Sequence, residues 1–173
     1  MSALTIKINR APVLTLWIAS VAHHEGYDWD TSLTIGKAYA GLNAQAKGRL
    51  LGIYSERSGS PKKHSLGEDY WIHIGERAIP MKKAEEGQRA VVKDKPVDPK
   101  SVEKYLVKSF GDSLAAAREA MEQLAKAHTP EELDERAFSL YEKFRPKIAS
   151  GQRGWGQKGT LDLGVIQELA ARQ

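Results

Sequence analysis

The segment from Thr31 to Tyr54 constrains the fold more than any other part of the chain. Its apolar residues recur at the spacing of one helical face, which predicts a long helix. A glycine inside a helix costs roughly 1 kcal/mol relative to alanine, so a row of small residues requires a close neighbour. We therefore expect another helix, Pro12–Glu25 or one from the C-terminal half, to pack against this small-residue ridge. The ridge consists of Gly36, Ala40, Ala44, Gly48 and Gly52.

The composition indicates an ordinary globular chain without cysteine chemistry. Of its 173 residues, 41% are hydrophobic and 28% are charged, and none is cysteine. Disulfides, thiolate metal sites and a cysteine nucleophile are thereby excluded. No window approaches the roughly 20 consecutive apolar residues that span a bilayer, so we expect no membrane partner. We predict a cytoplasmic, single-domain protein over 1–173, with any internal boundary near 94–100.

The N-terminal half predicts a helical hairpin followed by strands. A weak alternation before Asn9 indicates a short strand, and Pro12 suits the first turn of a helix that ends before Gly26. Asp28 or Asp30 is expected to cap the long helix. Strand character begins at Tyr70, and the segments 78–83 and 88–93 predict a β-hairpin. Pro80 would place the first of these two strands at a sheet edge.

The C-terminal half predicts helices with clear start signals. Asp98 and Pro99 form a cap and a first-turn proline, and Thr129 to Glu132 form a capping box. Gly111 is expected to separate the first two helices, and a last helix is predicted over 161–170. The fold class is therefore α+β, mostly helical: an αα-hairpin, a small antiparallel sheet and then a C-terminal helical bundle.

Charge is distributed unevenly along the chain. The net charge is only +4, but 33–67 contains six basic residues and one acid. The region 110–142 contains eight acids and three bases, and 143–160 contains five bases and no acid. Such clustering favours a basic patch that attracts an anionic partner, although scattered exposed lysines would give a similar pattern.

Three motifs resemble an uncharacterised family of bacterial proteins. They are RAPVLTLW (Arg10–Trp17), GLNAQAKGR (Gly41–Arg49) and RGWGQKG (Arg153–Gly159). The resemblance covers nearly the whole chain. It implies a bacterial protein, and it carries over no activity, no site residue and no mechanism.

The long helix and the loop after it are a candidate nucleic-acid interface. Lys37, Gln45 and Arg49 share one strip of the helix, and Lys47 lies on a neighbouring strip. Their side chains suit base edges and phosphates, and the loop adds Lys62 and Lys63. The alternative is a packing helix with a solvated cationic strip.

The glycine-rich loop 151–159 is the second candidate. Glycines allow backbone N–H groups to converge on an anion, Arg153 and Lys158 supply charge, and Trp155 offers a stacking face. The alternative is a scaffold loop in which Trp155 anchors the C-terminal helix.

Other chemistry has weaker signals. His23, His24 and Glu25 resemble metal ligands, but adjacent helical residues diverge and histidines suit a helix C-terminus. We therefore assign no metal, cofactor or catalytic residue, and we expect the protein not to be an enzyme. We predict a non-catalytic nucleic-acid-binding or regulatory protein that uses basic segments 37–63 and 143–158. The alternatives are a homodimeric interaction module and an enzyme acting on a phosphorylated small molecule at 151–159.

Overall fold

A computed structural model describes residues 5–50, 69–75, 77–84, 87–92, 95–146 and 159–171, and the side chains within these ranges except at 43–50, 69, 77 and 84. The protein is α+β and mostly helical, as predicted. Its elements are β1 (Thr5–Ile8), α1 (Arg10–His24), α2 (Trp29–Leu50), β2 (Asp69–Ile74), β3 (Arg77–Ala84), β4 (Gly87–Val92), β5 (Lys95–Pro96), α3 (Pro99–Phe110), a 3-10 turn (Gly111–Ser113), α4 (Leu114–Lys126), α5 (Pro130–Phe144), β6 (Gly159–Asp162) and α6 (Leu163–Ala171).

Helix α1 lies at the centre of the described core. Every residue from Pro12 to Ala22 is buried. The helix is surrounded because it packs against α2, α3, α4 and α5. Its polar residues do not need water: Thr15 and Ser20 each donate a hydrogen bond to the carbonyl four residues earlier.

The small-residue ridge of α2 meets α1 at Gly36, as predicted. A Cβ at Gly36 would overlap the carbonyl oxygen of Thr15 and lie 3.1 Å from the amide nitrogen of Ala19. The side chains of Ala44 and Gly48 lie outside the described set, and so does residue 52. Glycine at position 36 therefore permits the two helix backbones to approach closely.

The four-stranded antiparallel sheet has the order β2-β3-β4-β5. The hairpin between β3 and β4 is confirmed, but the expectation that Pro80 marks an edge strand is wrong, because β3 is central. Ladder pairing between β3 and β4 begins only at Met81, opposite Ala90. Pro80 thus lies just beyond that ladder, while Val91 pairs with β5 instead. On its other side Pro80 pairs with Trp71 of β2, so the proline lies in a two-stranded part of the sheet, where, among the described residues, β3 has no ladder partner on the β4 side.

A second, two-stranded sheet joins the ends of the described chain. The predicted N-terminal strand is present as β1, and it pairs antiparallel with β6, so that Ile6 lies opposite Leu161. Leu161, predicted to begin a helix, instead belongs to this strand, and α6 begins at Leu163. Pairing with a distant strand overrides the local helical pattern at this point.

Polar caps begin three of the four helices that surround α1, namely α2, α3 and α5. Asp28 accepts hydrogen bonds from the backbone and hydroxyl of Thr31, and Asp98 accepts one from the backbone N–H of Lys100. Thr129 and Glu132 form the predicted capping box at the start of α5. These bonds satisfy N–H groups that the first helical turn leaves free.

An indole hydrogen bond and an edge-on aromatic contact fix α5 against α1. The buried Trp17 donates its indole N–H to the carbonyl of Ala137 at 2.8 Å, and its ring meets Phe144 edge-on. Tyr141 donates its hydroxyl to the carbonyl of Arg10. Burial raises the pKa of Tyr141 to about 12, so it stays a neutral donor at physiological pH.

Candidate nucleic-acid interface

Most of the sequence-predicted binding residues fall outside what the structure describes. Lys37 is described, and it is exposed on α2. The others divide into two groups. Gln45, Lys47 and Arg49 lie on α2 with side chains outside the described set, and Lys62, Lys63, Arg153, Trp155 and Lys158 lie outside the described residues. Their union into one basic surface stays a prediction, as does the phosphate site at 151–159.

Lys37 links α2 to α3 through an aromatic contact. Its Nζ lies 4.4 Å from the ring centroid of Tyr105, within the distance at which a cation is attracted to a ring face. Tyr105 is half-buried, and burial raises the pKa of its hydroxyl. The hydroxyl therefore remains a neutral group beside the Lys37 ammonium.

Three lysines on α3 extend this basic surface. Lys100, Lys104 and Lys108 recur every four residues, and all three are exposed. The opposite face of α3 is buried and holds the helix in place through Val102, Leu106 and Phe110. We call Lys100, Lys104 and Lys108 the lysine row. Sequence analysis missed it, although the four-residue spacing of the lysines was a sufficient signal.

A small cavity borders the lysine row at the junction of β1 and α1. Its volume is about 290 Å³, and Lys108, Ser109, Tyr105 and Asn9 are among the residues that line it. The buried Oδ1 of Asn9 has no hydrogen-bond partner among the described residues. The cavity therefore offers a hydroxyl, an amide and an ammonium group beside the exposed lysines.

The chemistry available at this surface is the binding of anions. Lys37, Lys104 and Lys108 can each neutralise a phosphate. Lys37 also covers one face of the Tyr105 ring, so a nucleic-acid base cannot stack on that face. Phosphate contacts position a nucleic acid without reading its sequence. We therefore expect contacts to the backbone and little discrimination between bases.

The histidines at the end of α1 serve structural roles. His24 donates from Nε2 to the carbonyl oxygen of His128 at 3.0 Å, and His23 lies with its Nδ1 3.7 Å from Glu122. Within the described ranges, no three histidine or acidic side chains are arranged to hold a metal ion.

None of the helices in the described part of the chain combines the length and apolar content that crossing a bilayer requires. In comparisons with protein-family models, curated proteins and solved structures, the chain matches none of them. The resemblance of its three motifs to a bacterial family therefore stays a prediction.

Proposed function

We propose that the protein binds nucleic acid without catalysing a reaction, through the lysine row, Lys37 and the basic segments 37–63 and 143–158. The observation that supports the proposal is the contact of Lys37 with Tyr105, because it brings one member of the predicted cationic strip beside α3, the helix that carries the lysine row. As part of the same proposal, the protein is bacterial and is located in the cytoplasm.

Two further observations support a polyanionic partner. The first and last lysines of the lysine row lie eight residues apart, or about 12 Å at a rise of 1.5 Å per residue. Duplex DNA carries one negative charge per roughly 1.7 Å of axis, so several phosphates come within reach of this row. In addition, no acidic residue of α3 lies between the three lysines on their strip, since Glu103 lies on the flank of Val107.

The test is a titration of labelled single-stranded and duplex oligonucleotides, followed by fluorescence anisotropy at several salt concentrations. We expect binding at low salt that weakens steeply as salt is added. The double variant Lys104→Ala/Lys108→Ala should bind more weakly and lower the salt slope for duplex by about 1.8, because each lost phosphate contact accounts for about 0.9.

Lys83→Ala is the matched control, because Lys83 is an exposed lysine on β3, away from α3. It should change neither the affinity nor the slope by more than a small amount. Thermal melts of all variants should coincide, since exposed charges contribute little to stability. The proposal fails if the unmodified protein shows no binding at low salt, or if the double variant behaves like Lys83→Ala.

A further inference from the structure

A groove runs along the flank of α3 that carries Glu103, Leu106 and Val107. It lies between α3, α4 and the start of α2, and it encloses about 760 Å³. It follows α4 from Leu114 to Lys126, a length of about 18 Å at 1.5 Å per residue. This volume lies within the range of sites that bind small ligands, and the length of the groove suits a short extended or helical segment.

The floor of the groove is apolar. It includes Leu33 and Leu106, which are 1% and 2% exposed, together with the partly buried Leu114. Val107 stands at the rim with 51% of its surface exposed. An apolar floor with an exposed branched side chain beside it favours an occupant that contributes an apolar side chain of its own.

The positive charge of Arg118 within the groove is already paired. Its Nε lies 2.7 Å from Oε2 of Glu122, and its guanidinium carbon lies 3.7 Å from the ring centroid of Trp29. The ring of His23 meets Trp29 edge-on at 5.5 Å, so Trp29 is itself held in place. Arg118 is therefore held as part of the wall.

The remaining rim is acidic. Glu103, Asp112 and Glu119 line the groove and are exposed. Among the residues that the structure describes, none of these three carboxylates forms a hydrogen bond or an ion pair. Lys126, at the far end of α4, is the basic lining residue that remains. The rim thus complements a cationic occupant.

We propose that this groove binds a basic amphipathic peptide segment of a partner protein. One large apolar side chain of the segment lies on the floor formed by Leu33, Leu106 and Leu114, and its lysine or arginine residues face Glu103, Asp112 and Glu119. The apolar floor favours such a segment over a purely polar cation, and the carboxylates exclude nucleic acid. This proposal does not depend on the proposed nucleic-acid binding.

The test uses three fluorescein-labelled peptides and the full chain. The first is a leucine–lysine peptide with leucines at helical spacing, the second has the same composition with the apolar stripe scrambled, and the third has glutamate in place of lysine. We expect the first to bind, the scrambled peptide to bind at least about tenfold more weakly, and the acidic peptide not to bind.

Two variants test the groove from the protein side. Glu119→Lys should weaken binding of the first peptide by about tenfold, because an attractive carboxylate is replaced by an ammonium group that repels the lysines of the peptide. Glu135→Lys, an identical charge change at an exposed position of α5, should leave binding within about twofold. Val107→Ser should weaken binding without changing the thermal melt, and it carries the test if Glu119→Lys does not fold.

Three results would overturn the proposal. Equal binding of the helical and scrambled peptides would mean attraction by charge alone. If an equal concentration of spermine, a polycation without apolar side chains, displaces the peptide, the groove binds polycations in general and its apolar floor does not select the ligand. Sedimentation showing a dimer that Glu119→Lys dissociates would mean that a second copy of this chain occupies the groove.

Discussion

Glu25 ends α1 with a carboxyl group that lies among other acids. Its Oε2 is buried and has no hydrogen-bond partner among the described residues. Burial, and then the nearby Asp134 and Glu131, raise the pKa of this carboxyl from 4.5 to about 7. Burial acts in the opposite sense on His128, whose pKa is lowered. The two groups therefore contribute opposite pH dependences to the stability.

The sign of the Glu25 contribution follows from linkage. Because its pKa is raised in the folded state, the stabilisation is fully present below the unfolded value of 4.5 and is lost as pH rises through about 7. Glu25→Gln removes this ionisation at nearly constant volume. Glu25 is partly exposed, so solvent screening reduces the effect, and the variant should be more stable than the unmodified protein by on the order of 1 kcal/mol above about pH 7.

Urea denaturation at a series of pH values would measure this difference directly. His128 is present in both proteins, so its opposite pH dependence cancels when the two curves are subtracted. Glu135→Gln, an exposed position on α5, should give a flat difference curve. A flat curve for Glu25→Gln as well would show that Glu25 titrates normally in the folded protein.

At the scale of elements, the packing of α2 on α1 depends on Gly36. Gly36→Ala adds a methyl group that overlaps Thr15 O and approaches Ala19 N. Both atoms belong to the backbone, so no side-chain rotation relieves the overlap and the helices must move apart. We expect a net loss of about 1–3 kcal/mol, even though alanine gains about 1 kcal/mol in helix propensity.

Gly41→Ala is the matched control on the same helix. A Cβ at Gly41 would meet nothing within 4 Å, so the gain in propensity is unopposed and the variant should be slightly more stable than the unmodified protein. Denaturation followed by circular dichroism compares the two variants. Equal stability changes would show that α1 and α2 are not in close contact at Gly36.

Local signals in the sequence predicted where helices and strands occur better than they predicted which elements pack or pair with one another. The caps at Asp28, Asp98 and Thr129 were predictable because each acts on its own first turn. The pairing of β1 with β6 was not, since it joins residues more than 150 positions apart. The same holds for the candidate site: Lys37 was found from its helix, but its contact with Tyr105 depends on tertiary packing.

The net charge of the whole molecule is small, but charges of opposite sign cluster on different sides of α3. The formal net charge is +4, and α3 carries the lysine row on its exposed face and Glu103 with Val107 on the neighbouring flank. The cationic lysine row therefore faces the proposed nucleic acid, and the acidic rim of the groove faces the proposed peptide. Because the lysine row and the groove share no side chain, we expect a ligand on one surface to leave the other open.

This division predicts that the two proposed ligands bind together. The leucine–lysine peptide, added to the complex with a labelled oligonucleotide, should not displace the oligonucleotide at concentrations that saturate the groove. Lys104→Ala/Lys108→Ala should weaken the oligonucleotide alone, because these lysines do not line the groove. Glu119→Lys, on α4, should weaken the peptide alone, because Glu119 lines the groove and lies outside the lysine row. Peptide and oligonucleotide attract each other, so the oligonucleotide must first be titrated with peptide in the absence of protein. Competition that persists after this correction would mean that both ligands occupy one surface, and the separation of charge by α3 would then have no role in binding.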